Sequence, residues 1–442
     1  MSNAVLERAT LRTSRLMEFC SSKELVNQTG HGVNDWPLVI LKELVDNALD
    51  ACEEAGNCPE VDINVDDTGI MISDNGPGIP EQTIQGVLDF TARTSSREAY
   101  VAPDRGAQGN ALKTLVAMPF ALDNDNGGQL IIDTGSIRHQ INITVDPIRQ
   151  QPLIDHSKNP SFVKNGTCVK VVWPDSACSI LADAKERFLQ IADKYAFMNP
   201  HLKLSINWFG KSTQIDPTDT AWLKWRPSDP TSAYWYEPEH LSRLIAGYIA
   251  DDADHEKDRT VREFICEFRG LSGSAKQKRV LDATGLSRLN LSALADGNGI
   301  KSYIVKELSA AMRDHTKPVK PAALGVIGKQ HLEHRFKDAG CDMESFQYRK
   351  VARFDDFGLP YVLEVVFGYC PSFTHYRLIT GVNWSPGIRN PFNQLGNTGQ
   401  GLTSVLHQQE VDPDDPVMFF MHCAYPRVEY TDRGKSTVII KG

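Results

Sequence analysis

The sequence lacks several features, and each absence excludes a class of protein. No apolar run approaches the roughly 18–20 residues needed to span a bilayer, and the opening MSNAVLERATLRTSRLMEF has charges where a signal peptide needs an apolar core. A soluble, unexported protein with no membrane association is therefore expected. There is no Cys-x-x-Cys: nine cysteines, an odd number, are scattered from Cys20 to Cys423. That spacing argues against a disulfide framework and a zinc site, and fits a reducing cytoplasm. His331 and His334 (HLEH) lack the i, i+4 spacing and the glutamate of a zinc-protease helix, so they are expected as plain surface residues. Positive charge is not in excess. With 47 basic against 56 acidic residues and a net charge of −9, a surface coated in positive charge is excluded, although a local DNA-binding patch is not. No internal repeat or long low-complexity tract occurs. Apolar and charged shares of 41% and 23% are those of globular proteins and exclude long disorder and fibrous repeats.

What is present is 442 residues, enough for two to four domains at roughly 100–200 residues each. Residues 1–36 read as helix and loop. A strong amphipathic helix spans 36–54. Strands follow at 61–65 and 69–73, then the turn NGPG at 75–78 and a helix near 81–90. Residues 91–110, rich in Ser, Thr, Arg, Gly and Gln, read as a mobile loop, and a helix starts around Asn110. Strands at 129–133, 137–145 and 168–173, a helix at 179–197 and a strand at 202–208 close an α/β block near residue 210. Residues 211–240 form a connector and 240–315 are mostly helical. The two prolines of TKPVKPAA, 316–323, mark a boundary. A second α/β block follows, with strands at 361–368, 375–383 and 417–424.

Three segments carry chemistry. In LKELVDNALDAC, 41–52, helical spacing gathers Glu43, Asp46, Asn47 and Asp50 within about 100° of one another, opposite an apolar face. Such a stripe is either a solvated face or a site in which the Asn47 amide oxygen ligates Mg²⁺ and Glu43 activates a water. In ISDNGPGIP, 72–80, Asp74 ends a strand before Gly76 and Gly78. A buried carboxylate there can accept a hydrogen bond from an adenine amino group, and glycines let the backbone approach the base. A plain turn is the alternative. In TARTSSREAYVAPDRGAQGNALKT, 91–114, Gly106 and Gly109 flank Gln108 and lead into a helix, so free N–H groups face outward for phosphate oxygens. Arg105 and Lys113 add positive charge. A capped surface loop is the alternative.

In this order and spacing the three segments resemble the GHKL ATPases, the family of gyrase B, Hsp90, histidine kinases and MutL. KELVDNALDA resembles its first box, DNGPGI its second and RGAQGNAL its third. NGTCVKV, 165–171, resembles its later Gly-Thr strand. The resemblance implies a Bergerat-type α/β (α+β) ATP-binding fold, with ATP and Mg²⁺ as cofactors. Glu43 would be the general base, Asn47 the Mg²⁺ ligand and Asp74 the adenine anchor. Gly76, Gly78, Gly106, Gly109 and Thr167 would line the nucleotide, with Asp50, Arg105, Ala107, Gln108, Asn110, Ala111 and Lys113 beside them. No GxxxxGK[ST] P-loop stands in a suitable context.

The rest of the chain looks most like the B-subunit family of type IIB topoisomerases. RLMEFCSSKELVNQTGH, 15–31, resembles its N-terminal strap. DFTARTSS, 89–96, resembles its lid, with Thr94, Ser95 and Ser96 at the nucleotide. TVREFICEFRGLSGSAKQKRVLDATGL, 260–286, resembles its helix–two-turns–helix insert, and VKPAALGVIGKQHL, 319–332, the entry to its transducer. YTDRGKSTV, 430–438, resembles the transducer loop whose lysine, here Lys435, touches the γ-phosphate. This implies a strap at 1–36, an ATP-binding domain at 37–210, a connector and helical domain at 211–318 and a transducer at 319–442. It further implies a homodimer on ATP binding, a separate DNA-cleaving A-subunit-like partner, DNA as a contact, and a cytoplasmic, nucleoid-associated location. Lys276, Lys278 and Arg279 are candidate DNA contacts or an ordinary exposed cluster. Ala111 stands where the third box usually has glycine, and the sequence stops at Gly442, before the family's long helix that grips its partner. DPDD, 412–415, reads as a loop and not as a cleaving centre. The alternatives are a MutL-like repair clamp and a switch in a DNA-defence complex. A histidine kinase has too little room before residue 41, and the transducer likeness disfavours a chaperone.

Overall fold

A computed structural model describes residues 21–88, 99–105, 111–123, 127–146, 148, 151–297, 299–395, 399–431 and 437–439. The N-terminal block is a sheet with helices packed on it. Helices α1 (Ser22–Thr29) and α2 (Trp36–Glu54) precede strands β1 (Glu60–Asp66) and β2 (Gly69–Asp74). Then come α3 (Glu81–Leu88), α4 (Ala111–Leu122), β3 (Gly128–Thr134), β4 (Ile137–Asp146), β5 (Gln151–Pro160), β6 (Thr167–Val172), α5 (Cys178–Asp183), α6 (Lys185–Met198), β7 (Lys203–Trp208) and β8 (Lys211–Ile215). The strands form one sheet in the order β5-β4-β3-β6-β2-β1-β7-β8. All neighbours are antiparallel except β1 and β7.

Helix α2 exists because its apolar residues recur at helical spacing and Pro37 stands in its first turn, where a missing N–H costs nothing. Leu38, Leu41, Leu44, Val45 and Leu49 are buried against the sheet. At about 1.5–3 kcal/mol for each fully buried side chain, this face fixes the helix and so aims its opposite face. Strand β1 alternates, with Val61, Ile63 and Val65 turned into the same core. The sheet runs to Ile215, past the expected close at residue 210, because β8 folds back on β7 through the Phe209–Gly210 turn. Strand β5 was not expected: its Asp, His, Ser and Lys residues show no alternation. A single helix was expected at 179–197, but two form, divided at Ala184.

The middle block holds α7 (Pro238–Asp254), α8 (Val261–Cys266), α9 (Ser274–Thr284), a short hairpin of β9 (Ala295–Asp296) and β10 (Gly299–Ile300), and α10 (Ser302–Asp314). Lys276, Lys278 and Arg279 are exposed on α9. After α11 (Lys329–Asp338) comes a second sheet of β11 (Asp342–Phe354), β12 (Pro360–Tyr369), β13 (Arg377–Val382), β14 (Ser385–Pro386) and β15 (Val417–Ala424). Its order is β11-β12-β15-β13-β14. Helix α12 (Leu402–Gln408) precedes β15, and β16 (Glu429–Tyr430) pairs with β17 (Val438–Ile439). Residues 412–415 form the expected loop. One continuous apolar core runs from Phe197 and Trp222 through α7–α10 into the second sheet.

Two expectations are corrected. His331 is buried, not on the surface. Its Nε2 donates to the Phe197 carbonyl at 3.0 Å and its Nδ1 meets the Thr218 hydroxyl. Burial holds it neutral, with its pKa brought down to about 3. Cys341 and Cys370 form a disulfide, because the β11–β12 register brings them opposite one another, one rung beyond the Asp342–Tyr369 pair. Their spacing of 29 residues gives no hint of this. Among the described residues no helix is long and apolar enough to cross a membrane.

Candidate functional site

The site forms where the outer face of α2 meets the end of β2. Glu43 is half-buried and Asn47, one turn on, is exposed. The β2 turn packs against the same helix: a Cβ on Gly76 would lie 3.4 Å from the Ala51 Cβ. Asn75 braces this turn. Its Oδ1 accepts from the Glu60 N–H at 2.9 Å and its Nδ2 donates to the Cys58 carbonyl at 2.9 Å. Asp74 Oδ1 accepts from the Gly76 N–H at 2.8 Å. Burial pushes the Asp74 carboxyl above its usual range, against hydrogen bonds from Gly76 and Thr167.

Thr167 comes to Asp74 by register, since it stands opposite Asp74 on one side and Thr134 on the other. Two glycines are required by close approach. Gly78 has φ +88, and a Cβ there would sit 2.6 Å from Thr134 Oγ1, which also accepts from the Ile79 N–H at 3.0 Å. Gly166 has φ +77 and its Cβ would strike the Asp74 carbonyl at 1.9 Å. Thr134 and Gly166 were missed as site residues. The Asn-Gly-Thr motif held the signal for Gly166, but nothing local marks Thr134.

Part of the carboxylate stripe of α2 is taken up in a buried cluster with Arg105. Glu43 is half-buried and Asn47 exposed, whereas Asp46 and Glu53 are buried and Asp50 is half-buried. Arg105 Nη1 binds Asp50 and Glu53 at 2.6 Å each, and its Nη2 binds Glu53 and Asn199 at 2.6 Å each. Lys224 lies 2.8 Å from Glu53 and His201 lies 3.1 Å from it. Burial opposes ionisation of Glu53, but Arg105 and Lys224 outweigh it and hold the carboxyl well below its usual range. Asp50 shares the same cations and burial wins there, so its carboxyl is raised. Asp50 and Arg105 are thus paired with one another within the scaffold. The physical reason is that Asn199 and Lys224, remote in sequence, complete a buried cluster that a helical wheel does not show.

Lys113 is buried in the first turn of α4, and Ala111 begins that helix. Thr94, Ser95, Ser96, Gly106, Ala107, Gln108, Gly109, Asn110 and Lys435 lie outside the described residues. Their flanks meet: Arg105, one residue before Gly106, and Tyr430, five before Lys435, line one cavity with Lys42 and Ser385. Among the described residues no three His, Cys, Asp or Glu side chains gather as a metal cluster.

Residues 32–176 match the family of histidine kinase-, DNA gyrase B- and HSP90-like ATPases. The B subunit of type 2 DNA topoisomerase 6 from Methanosarcina acetivorans is 26% identical over 423 residues, covering 91% of this chain and 64% of that protein. Its counterpart in Natronomonas pharaonis is 28% identical over 177 residues, covering 38% of this chain and 21% of that protein. The chain therefore spans less than two thirds of the length of these relatives. The ATPase region of Saccharomyces cerevisiae topoisomerase II overlaps with a TM-score of 0.41 at 11% identity, over 91% of this chain and 76% of that one. The chain carries an ATPase domain of the histidine kinase-, gyrase B- and HSP90-like (GHKL) family and is similar, over nine-tenths of its length, to the B subunits of type 2 DNA topoisomerase 6.

Proposed function

We propose that this chain binds and hydrolyses ATP, dimerises on doing so, and relays the change through its C-terminal domain to a separate DNA-cleaving or DNA-processing partner. The observation that carries the reading is the packing of the β2 turn on α2, which sets the helix that bears Glu43 and Asn47 beside the strand end that pairs Asp74 with Thr167. Asp74 accepts from the adenine amino group, with Thr167 beside it. Gly76 and Gly78 keep side chains out of the base's path. Gly106, Ala107, Gln108, Gly109 and Asn110 lead into α4 and offer backbone N–H groups to the phosphates. Thr94, Ser95 and Ser96 close over them.

The residues fit a magnesium ion. It prefers one or two hard protein oxygens plus phosphate and water, so the lack of a carboxylate cluster is no obstacle, and Asn47 presents an exposed amide oxygen. When bound, the ion screens phosphate charge. Glu43 takes the proton from the attacking water as it adds to the γ-phosphorus, while the bond from that phosphorus to the β–γ bridging oxygen breaks and ADP leaves. In this reading Lys435, five residues after Tyr430 in the cavity that Arg105 also lines, supplies an ammonium that stabilises charge developing on the γ-phosphate. ATP binding and phosphate release measured side by side on Lys435→Ala test this: affinity stays near wild type while most hydrolysis is lost. Unchanged phosphate release removes Lys435 from the site. Asp74→Ala tests the adenine contact, with an expected loss of about 10-fold or more in ATP affinity.

A further inference from the structure

The turn joining β13 to β14 is a two-residue hairpin turn with φ +49 at Asn383 and +60 at Trp384. That geometry calls for residues such as Asn-Gly. Asparagine suits it, but a bulky tryptophan at positive φ is strained. The strain is held by hydrogen bonds to its backbone and by packing around its ring. The Trp384 N–H donates to His422 Nε2 at 2.9 Å and its carbonyl accepts from Asn199 Nδ2 at 3.0 Å. Its ring is fully buried against Trp222, His422 and the Lys224 ammonium.

Each residue of this turn also grips an ATPase-domain element that brackets the nucleotide site. Asn383 Nδ2 donates to the Asp104 carbonyl at 3.1 Å, two residues before Gly106. Trp384 reaches Arg105 through Asn199, which accepts from the Arg105 guanidinium at 2.6 Å. Ser385 Oγ donates to Asp46 at 2.8 Å, on the helix that carries Glu43 and Asn47. Behind the turn the contacts continue into the second sheet. Tyr425 exchanges backbone hydrogen bonds with the Asn383 side chain at 2.8 and 3.0 Å, and His422 stands opposite Glu364 in the β12–β15 register. Glu364, fully buried, accepts from the backbone N–H groups of Ile327 and Gly328, at the entry to the C-terminal domain.

We infer that the Asn383–Ser385 turn is the positioning element that couples residues 104–105 and helix α2 to the C-terminal sheet. The inference rests on the nucleotide reading above and names where its relay passes. A strained turn held by contacts on both domains has a lower-energy alternative once one set of contacts shifts. Movement of residues 104–105 therefore changes the balance at Trp384 and, through His422, in β15. Under the proposal the turn is the element that both ends bias.

The test uses the full 442-residue chain, a non-hydrolysable ATP analogue, and hydrogen exchange read separately over 41–54, 69–80 and 417–424. In the wild type, the analogue slows exchange in all three segments. Asn383→Asp keeps size and tolerance of positive φ but sets a carboxylate against the Asp104 and Tyr425 carbonyls. It should bind the analogue with near wild-type affinity and keep the response at 41–54 and 69–80. Its response at 417–424 should fall at least about five-fold, the lower end of ordinary coupling. A wild-type response at 417–424 in this variant overturns the proposal. So does a wild type that binds the analogue without any change at 417–424. A wild type that binds no analogue overturns the nucleotide reading itself, and this proposal with it. Should Asn383→Asp fail to fold, Ser385→Ala, which removes the Asp46 contact, is read by the same criterion.

Discussion

Asp50 and Glu53 show how residues of like chemistry on one helix take different parts. Both are carboxylates facing Arg105, yet Glu53 gathers Arg105, Lys224 and His201 while Asp50 has the weaker share. Neutral histidines shape the pH response more simply. His331 and His422 are both held near pKa 3 by burial, against about 6.5 when unfolded. Below pH 6.5 the unfolded chain takes up protons that the native one refuses. Their contribution is thus intact above pH 6.5 and is lost as pH falls toward 3, at about 1.4 kcal/mol per pH unit for each histidine. Thermal or urea unfolding should show a clear drop between pH 7 and pH 5, and His331→Gln should flatten it. A stability independent of pH across that interval would refute the assignment.

At the scale of elements, much was legible where the signal is local. Helix α2 appeared with its bounds because its apolar spacing and Pro37 are sequence features, and the 75–78 turn was marked by its glycines. Strand β11 was missed because it is an edge strand whose residues 349–354 are mostly exposed and lack alternation. The buried part of the α2 stripe was not legible because its partners, Asn199, Lys224 and Ser385, lie 94 or more residues from the groups they bind. The Arg105 cluster gives a prediction at this scale. Arg105→Met leaves Asp50 and Glu53 without their shared guanidinium, and should destabilise the fold by about 3–5 kcal/mol, as breaking buried pairs does. A urea midpoint unchanged from wild type would mean that Lys224 alone neutralises the pair.

At the scale of the molecule, the helical block and the second sheet share one core, and the β13–β14 turn enters the first domain beside α2. Such packing lets a change at the nucleotide be felt across the chain. With a non-hydrolysable ATP analogue and Mg²⁺, light scattering should show dimers closing, and mass independent of nucleotide would count against the clamp. The most direct test of the whole account is made on Glu43→Ala, with ATP binding and phosphate release measured on the same preparation. The account predicts that it binds ATP as the wild type does but releases phosphate at least about 10²-fold more slowly, as loss of a positioned general base implies. Wild-type turnover by Glu43→Ala, or no ATP binding by either protein, would contradict it.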